Sequence, residues 1–367
     1  MRVLFTTNIP SPYRVDFFNE LGKHCDLTVL FESQIDKNRD KNWVADKFSN
    51  FKAVFMKGIK KGDADALCPG ILKFLSLRKF DVIVIGAYHT PTGMLAIQYM
   101  KIMNIPFILS SDGGMKKEDL GIRHKIKEHF ISAASAWLST GRVTSEYLEY
   151  YGAKKDKINV YPFTSIKAAD ILDKPLTVDE KKAIRSKLGI HEEKMVLSVG
   201  RFIYLKGYDI LLRACEELDK SIGVYIVGGK PTEEYLQMKK DMNLSNVHFV
   251  DFMKKPELAL YYKAADLFVL PTRGDVWGLV INEAMAYGLP IITTDKCVAG
   301  VEMLEDSIGA IIPTNNEKAL NNCIKRAVEH SDRYDANRIL VKSRLYSIEE
   351  MARYHYNIFR EHRRRKE

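Results

Sequence analysis

Residues 271–286 read PTRGDVWGLVINEAMA, a stretch in which Asp275 and Glu283 flank a glycine turn. The apolar residues 265–271 before the turn are few enough for a buried parallel strand, and residues 280–287 after it are helix formers. A strand, a loop and a helix in this order present free N–H groups and the positive end of a helix dipole. We therefore expect an anion-binding loop with two carboxylates beside it.

The rest of the chain repeats this alternation of apolar strands and helical patterns, which is typical of βαβ units. The polar segment 162–180 separates two series of strands and is interpreted as a linker. The predicted strands are 2–6, 27–31, 81–85, 106–110, 136–139 and 158–161 in the first half and 195–199, 223–227, 247–249, 267–270, 291–293 and 309–312 in the second. The predicted fold is α/β, with two Rossmann-like, doubly wound parallel-sheet domains whose carboxyl ends line one cleft.

The length of 367 residues also favours two domains, because a single core rarely holds so long a chain. We assign residues 1–165 to an N-terminal domain, residues 166–345 to a C-terminal domain, and residues 346–367 to a helix that returns to the first domain and ends in a basic tail. No apolar run approaches the roughly 20 residues of a membrane span. The five cysteines have no disulfide or zinc spacing. These features predict a cytosolic protein with reduced thiols and no metal site.

The net charge of +9 is concentrated in the first half of the chain. Residues 1–165 carry 24 basic against 17 acidic residues, whereas residues 166–367 carry 32 against 30. A basic domain suits nucleic acid, an anionic membrane surface or a phosphorylated substrate. Aromatic RNA-binding patterns and a glycine clamp are absent from the sequence, so nucleic acid is not expected as a partner.

Two cations follow the first predicted strand of the second domain. Arg201 and Lys206 stand where that strand ends and a helix is expected from about residue 208. A guanidinium can bind two phosphate oxygens at once, and an ammonium acts as a mobile point charge. Together they could stabilise the negative charge that grows on a diphosphate leaving group. Taken alone they are better explained as two solvated loop cations. Together with the loop from Asp275 to Glu283 they indicate a phosphate site.

The chain resembles glycosyltransferase family 4, the retaining nucleotide-sugar enzymes of GT-B architecture. The resemblance extends over nearly the whole length and depends on three segments: residues 199–207 (VGRFIYLKG), 262–271 (YKAADLFVLP) and 278–290 (GLVINEAMAYGLP). The paired acids of the family have seven residues between them, and Asp275 and Glu283 keep that spacing. Asp275 replaces the usual Glu, and its shorter arm is expected to alter contact with the donor sugar.

The resemblance implies a role for each residue of this motif. Glu283 would hold the ribose, Asp275 the donor sugar, and Arg201 and Lys206 the leaving diphosphate. The donor would also contact the backbone of the helix start and the ends of neighbouring strands; the residues concerned are Gly278, Leu279, Val280, Gly228, Val250 and Phe252. Glycines after a strand are often only turns, which is the other interpretation of Gly228.

The first domain is expected to bind the acceptor. Tyr13 and Arg14 lie in a proline-rich loop that either contacts ligand or is only a rigid turn before a helix. Relatives often carry a histidine near the reacting sugar, where this chain has Asp112, so Asp112 is a candidate for positioning the acceptor or relaying its proton. His89 is a second candidate, or an ordinary loop histidine.

Residues 116–130 form a basic amphipathic pattern, with Ile122, Ile126 and Phe130 at helical spacing. The pattern fits either a helix packed on the core or a helix docked on anionic lipid, with a contribution from the basic residues 363–366.

Together these features predict a metal-independent and cofactor-free retaining transferase. It would move a hexosyl group from a nucleotide diphosphate sugar, expected to be a UDP-sugar, to a saccharide acceptor on a lipid carrier in surface polysaccharide synthesis. Two other functions fit the same residues, namely a nucleotide-sugar 2-epimerase and a non-catalytic nucleotide-sugar-binding module.

Overall fold

The computed structural model describes residues 1–34, 47–60, 65–116, 121–330 and 333–364. The chain divides into two compact units. Unit 1 comprises residues 1–167 and 346–367, and unit 2 comprises residues 168–345. The chain therefore leaves unit 1 after Lys167 and re-enters it at Tyr346.

Helices and strands alternate through both units. The strands are β1 (Arg2–Thr7), β2 (Asp26–Phe31), β3 (Lys52–Phe55), β4 (Ile59–Lys60), β5 (Ala66–Leu67), β6 (Val82–Ile85), β7 (Ile108–Ser110), β8 (Ala136–Ser139), β9 (Ile158–Val160), β10 (Lys194–Val199), β11 (Ile222–Val227), β12 (Val247–Val250), β13 (Leu267–Leu270), β14 (Ile291–Thr294) and β15 (Gly309–Ile312). The helices are α1 (Pro12–Leu21), α2 (Pro91–Ile102), α3 (Ile122–Ile131), α4 (Arg142–Tyr150), α5 (Val178–Leu188), α6 (Tyr208–Cys215), α7 (Glu233–Asp241), α8 (Lys255–Ala264), α9 (Leu279–Ala286), α10 (Val298–Met303), α11 (Glu317–Glu329), α12 (Ala336–Arg344) and α13 (Ile348–Arg364).

Unit 1 is built on a seven-stranded parallel sheet in the order β3-β2-β1-β6-β7-β8-β9. Its central strands are buried almost throughout, as expected for a parallel sheet covered by helices on both faces. The sequence analysis missed β3, because this edge strand is short and its residues are only partly buried. It also missed the antiparallel pair β4 and β5.

The C-terminal helix α13 packs against α1 in unit 1. His355 of α13 is fully buried, with its ring 4.6 Å from that of Phe17 and 4.3 Å from that of Tyr161. Its Nδ1 lies 2.8 Å from the Met351 carbonyl oxygen, which can only accept, so this nitrogen carries the proton. Burial lowers the pKa of His355 to about 3, and the ring is neutral. Residues 365–367 of the basic tail lie outside the described residues.

Unit 2 is built on a six-stranded parallel sheet in the order β12-β11-β10-β13-β14-β15. Its first helix, α5, begins with a capping box between Thr177 and Glu180 and ends at Gly189 in the left-handed region, φ 68°. All six strands predicted for this half are present. The prediction of two doubly wound parallel-sheet domains is confirmed.

Each sheet reverses its strand order at one point. In unit 1 the chain builds outward from β1 to β3 and then from β6 to β9, so the reversal lies between β1 and β6. In unit 2 it lies between β10 and β13. Ligands of such sheets bind outside the carboxyl ends of the strands that flank the reversal. A ligand site of unit 2 is therefore expected at the loops after β10 and β13.

Candidate functional site

An ion pair joins the two loops at the reversal point of unit 2. Lys206 ends a short 3-10 turn, Tyr204–Lys206, after β10, and Asp275 lies in the loop after β13. Lys206 Nζ is 2.5 Å from Asp275 Oδ2, and each side chain is 18% exposed. The sequence analysis assigned these residues to separate parts of a ligand, and the structure places them in contact. A phosphate can approach this lysine, since the pair is accessible and the ammonium is a mobile charge.

Arg273 holds the two loops together and was missed in the sequence. Its guanidinium nitrogens lie 2.8 and 2.6 Å from the carboxylate of Asp209, a bidentate pair. It also lies 4.0 Å over the ring of Tyr204. Burial opposes ionisation of Asp209, but the hydrogen bonds from Arg273 outweigh it and place the pKa of Asp209 below its usual value. The available signal was the opposite charges of Arg273, in the loop after β13, and Asp209, at the start of the helix that follows β10.

The loop after Asp275 is fixed by its backbone. The Asp275 N–H donates to the Lys296 carbonyl oxygen at 3.0 Å, and the Ala299 N–H donates to the Trp277 carbonyl oxygen at 2.8 Å. Gly278 has a φ of 101°, and a Cβ there would lie 2.7 Å from Cys297 Sγ. Only glycine fits this position without strain.

Helix α9 begins directly after Gly278. The amides of Leu279 and Val280 are the first of this helix, and the first N–H groups of a helix have no partner within it. The helix is eight residues long and the Glu283 side chain follows its first turn.

Glu283 is fixed by a buried tyrosine. The Tyr262 hydroxyl donates to Glu283 Oε2 at 2.9 Å. Tyr262 is 2% exposed, and its ring stacks on that of Tyr287 with the centroids 5.3 Å apart. Burial, reinforced by the Glu283 charge, raises the pKa of Tyr262 well above its usual value, so its hydroxyl stays a donor. One oxygen of Glu283 is thus oriented before any ligand binds.

The remaining candidates of unit 2 lie at the same edge of the sheet. Arg201 is exposed after β10, Val250 is the half-buried last residue of β12, and Phe252 is exposed beyond it. Gly228 follows β11, where a Cβ would lie 1.7 Å from the Gly200 carbonyl oxygen. Close backbone approach alone accounts for that glycine, which favours its interpretation as a turn.

The candidates of unit 1 are brought together only in part. Arg14 is 3% exposed and forms an ion pair with Asp112, whereas His89 is exposed on the loop after β6. Tyr13 is half-buried, with its ring 5.9 Å from that of Phe163. Burial opposes the charge of Arg14, but Asp112 outweighs it and raises the pKa of the guanidinium. Arg14 lies inside unit 1 and not at its surface.

The described residues contain neither a metal-binding cluster nor a helix that could span a membrane. No group of three or more His, Cys, Asp or Glu side chains in the described ranges is arranged to hold a metal ion. None of the described helices combines the length and apolar character needed to cross a bilayer.

Residues 180–340 match the family model described as Glycosyl transferases group 1. Unit 2 contains a group 1 glycosyltransferase domain. The match includes Arg201, Lys206, Asp275 and Glu283. The D-inositol 3-phosphate glycosyltransferase of Xylanimonas cellulosilytica is 28% identical over 196 residues, which make up 51% of this chain and 46% of that relative. The chain thus matches about half the length of this relative.

Solved structures resemble the whole chain. Sucrose-phosphate synthase from Thermosynechococcus elongatus is 18% identical, with a TM-score of 0.74 and 98% of both chains covered. HepE of Anabaena, solved with UDP and glucose, is 15% identical, with a TM-score of 0.71 over 96% of this chain and 97% of that one. At these identities the likeness shows only that this chain shares the fold of these proteins.

Proposed function

We propose that this protein is a retaining glycosyltransferase of family 4 that transfers a hexosyl group from a nucleotide diphosphate sugar to a saccharide hydroxyl. The observation that carries this proposal is the accessible Lys206–Asp275 pair, at the strand reversal of a group 1 domain, together with the oriented carboxylate of Glu283. A cation, an oriented acid and a helix start at one sheet edge suit a nucleotide diphosphate.

Each part of this edge has a task in the proposed reaction. As the bond between the sugar and the diphosphate breaks, negative charge grows on the leaving group, and Lys206, Arg201 and the start of α9 stabilise it. Glu283, which Tyr262 orients, binds ribose hydroxyls. Asp275 binds a hydroxyl of the donor sugar after the diphosphate has taken its place on Lys206.

We propose UDP as the donor nucleotide, which the structure of HepE with UDP and glucose supports. The test is a thermal-shift and transfer assay against UDP-, GDP- and ADP-sugars, since a ligand bound to the folded state raises its stability. We expect UDP-sugars to raise the melting temperature most. Transfer should survive EDTA, because no metal is proposed. An absence of binding by every sugar nucleotide overturns the proposal, and a new sugar nucleotide formed without acceptor indicates an epimerase.

We further propose that the acceptor is lipid-linked, in surface polysaccharide synthesis at the inner face of a membrane. Helix α3 supports this proposal, because Ile122 and Ile126 are 76% and 44% exposed and flank the exposed cations Arg123 and Lys125. Only Ile131 of this helix is fully buried. Exposed apolar side chains beside cations suit an anionic lipid surface. Residues 117–120, before this helix, lie outside the described residues.

Vesicle flotation tests the docking of α3. The protein should float with vesicles that contain anionic phosphatidylglycerol and not with neutral phosphatidylcholine vesicles. Ile122→Ser should weaken flotation, whereas Val341→Ser, at another exposed helical position, in unit 2, should not. Equal behaviour on both vesicles contradicts membrane docking and leaves the transferase proposal untouched.

A further inference from the structure

One carboxylate of unit 1 is held by a buried cation and turned toward solvent. Asp112 lies in the loop after β7, and its Oδ1 accepts from Arg14 Nη2. The Tyr161 hydroxyl lies 3.4 Å from the same Oδ1. In the part of the chain that the structure describes, no hydrogen bond reaches Oδ2 of Asp112. The Asp112 side chain is 31% exposed, whereas that of Arg14 is 4% exposed.

The backbone of Asp112 is held as firmly as its side chain. The Ser111 N–H donates to the Leu138 carbonyl oxygen of the next strand at 3.1 Å. The Ser111 hydroxyl donates to the Gly113 carbonyl oxygen at 3.0 Å. The contacts of the loop and of Oδ1 therefore fix the orientation of the Asp112 carboxylate, and with it the position of Oδ2.

The cation of this pair is enclosed by aromatic rings. The Arg14 guanidinium lies 5.8 Å from the ring centroid of Tyr13 and 5.6 Å from that of Phe163. The ring of His355 packs on Tyr161 at 4.3 Å, so α13 helps to fix the Tyr161 hydroxyl. A ligand cannot reach a guanidinium in this position, and Arg14 acts on a ligand only through Asp112.

We propose that Asp112 accepts a hydrogen bond from the acceptor hydroxyl through Oδ2, and that Arg14 is a positioning residue which orients this carboxylate. The inference rests on the proposed transferase function and adds the class of group that unit 1 recognises. An ionised carboxylate oxygen only accepts hydrogen bonds, so Oδ2 fits the hydroxyl of a polyol or a saccharide, which donates one. No proton transfer to Asp112 is part of the proposal.

Competition between two acceptors tests this role. With the sugar nucleotide that the donor screen selects, the sugar is transferred either to glycerol, the probe for a polyol acceptor, or to water. We expect Asp112→Asn and Arg14→Gln to lower the ratio of glycerol transfer to hydrolysis at least tenfold. Donor affinity should stay within about twofold of the wild type, because the proposed donor contacts lie in unit 2.

Two further variants separate positioning from folding. Arg14→Lys keeps the charge without the planar fork, and we expect an intermediate ratio. Glu146→Gln removes an exposed carboxylate of the Arg142–Glu146 pair in α4 and should leave the ratio unchanged. If Arg14→Gln does not fold, Arg14→Lys and Tyr161→Phe carry the test.

The outcomes separate this inference from the proposed function. A wild-type ratio in Asp112→Asn or in both Arg14 variants overturns the inference while the transferase proposal stands. Loss of donor affinity in these variants overturns it too, because the residues would then act on the donor. If no sugar nucleotide is bound or turned over by the wild type, the proposed function itself fails.

Discussion

The two units each carry a cation–carboxylate pair at the carboxyl edge of a parallel sheet, but the two cations differ in exposure. In unit 2, Lys206 and Asp275 are both 18% exposed. In unit 1, Arg14 is 4% and Asp112 is 31% exposed. An accessible lysine can exchange its carboxylate for a phosphate, whereas a buried arginine can only orient its carboxylate. The same pair of charges thus favours an anionic ligand in one unit and a hydroxyl in the other.

The largest effect is expected from removal of the accessible cation. Lys206→Ala should lower the rate of transfer by roughly 100- to 1,000-fold, since one charge that stabilises a leaving group contributes on that order. Initial rates at saturating donor measure this, with Lys240→Ala, an exposed lysine of α7, as the control. Glu283→Ala should lose nearly all transfer as well. Near-normal rates in both variants would contradict the role of unit 2.

The second prediction concerns the stability of the buried pair. Arg14→Ala should lower the free energy of unfolding by about 2–3 kcal/mol, because it empties a buried position packed against aromatic rings and also breaks the ion pair. Lys206→Ala should lower it by about 1 kcal/mol or less, because the Lys206 side chain is less buried than that of Arg14. Urea unfolding of both variants checks the difference. Equal losses would remove the distinction between the two pairs.

Unit 1 has another buried carboxyl group near this edge, but its described partners are uncharged. Glu32, directly after β2, accepts from the Thr90 hydroxyl at 2.6 Å and from the Ala66 N–H at 3.2 Å. Burial raises its pKa to about 7. The folded protein therefore keeps a proton that the unfolded chain releases near pH 4.3, and stability contributed by this group falls as pH rises from about 4.3 to 7.

Glu32→Gln should remove this loss and stabilise the protein at pH 8 relative to the wild type, by about 1–3 kcal/mol. The amide fits, because the Thr90 hydroxyl can donate to the Ala87 carbonyl oxygen at 2.9 Å and accept from glutamine. Urea unfolding at pH 5 and pH 8 measures the effect, with Glu146→Gln as the exposed control. Identical pH dependence in wild type and Glu32→Gln would refute the shift.

The smallest effect is expected from the tyrosine that orients Glu283. Tyr262→Phe should weaken donor binding by up to about tenfold, the value of one hydrogen bond to a charged group, and leave the fold intact. Tyr287→Phe keeps the stacked ring and should leave donor binding unchanged. Calorimetric titration with the selected sugar nucleotide compares them; an equal or stronger effect in Tyr287→Phe would contradict the role of the Tyr262 hydroxyl in positioning Glu283.

The sequence predicted the fold of unit 2 better than that of unit 1. Strands such as β11 and β13 are continuous apolar runs, because both of their faces are buried. The edge strand β3 was missed because only part of its surface is buried. The amphipathic pattern of α3 left core packing and lipid docking open, and the exposure of Ile122 and Ile126 goes against core packing.

What the sequence by itself determined was the composition of the edge in unit 2, because Asp275, Glu283 and the glycine turn lie in one continuous loop and helix. The placement of Arg201 and Lys206 at the end of a strand followed from the predicted order of strands and helices. Only the tertiary structure decided which charges pair and which stay accessible. The contacts of Arg14 with Asp112 and of Tyr262 with Glu283 join residues 98 and 21 positions apart, and burial at such contacts depends on the packing of several elements. A local pattern of residues does not contain that information.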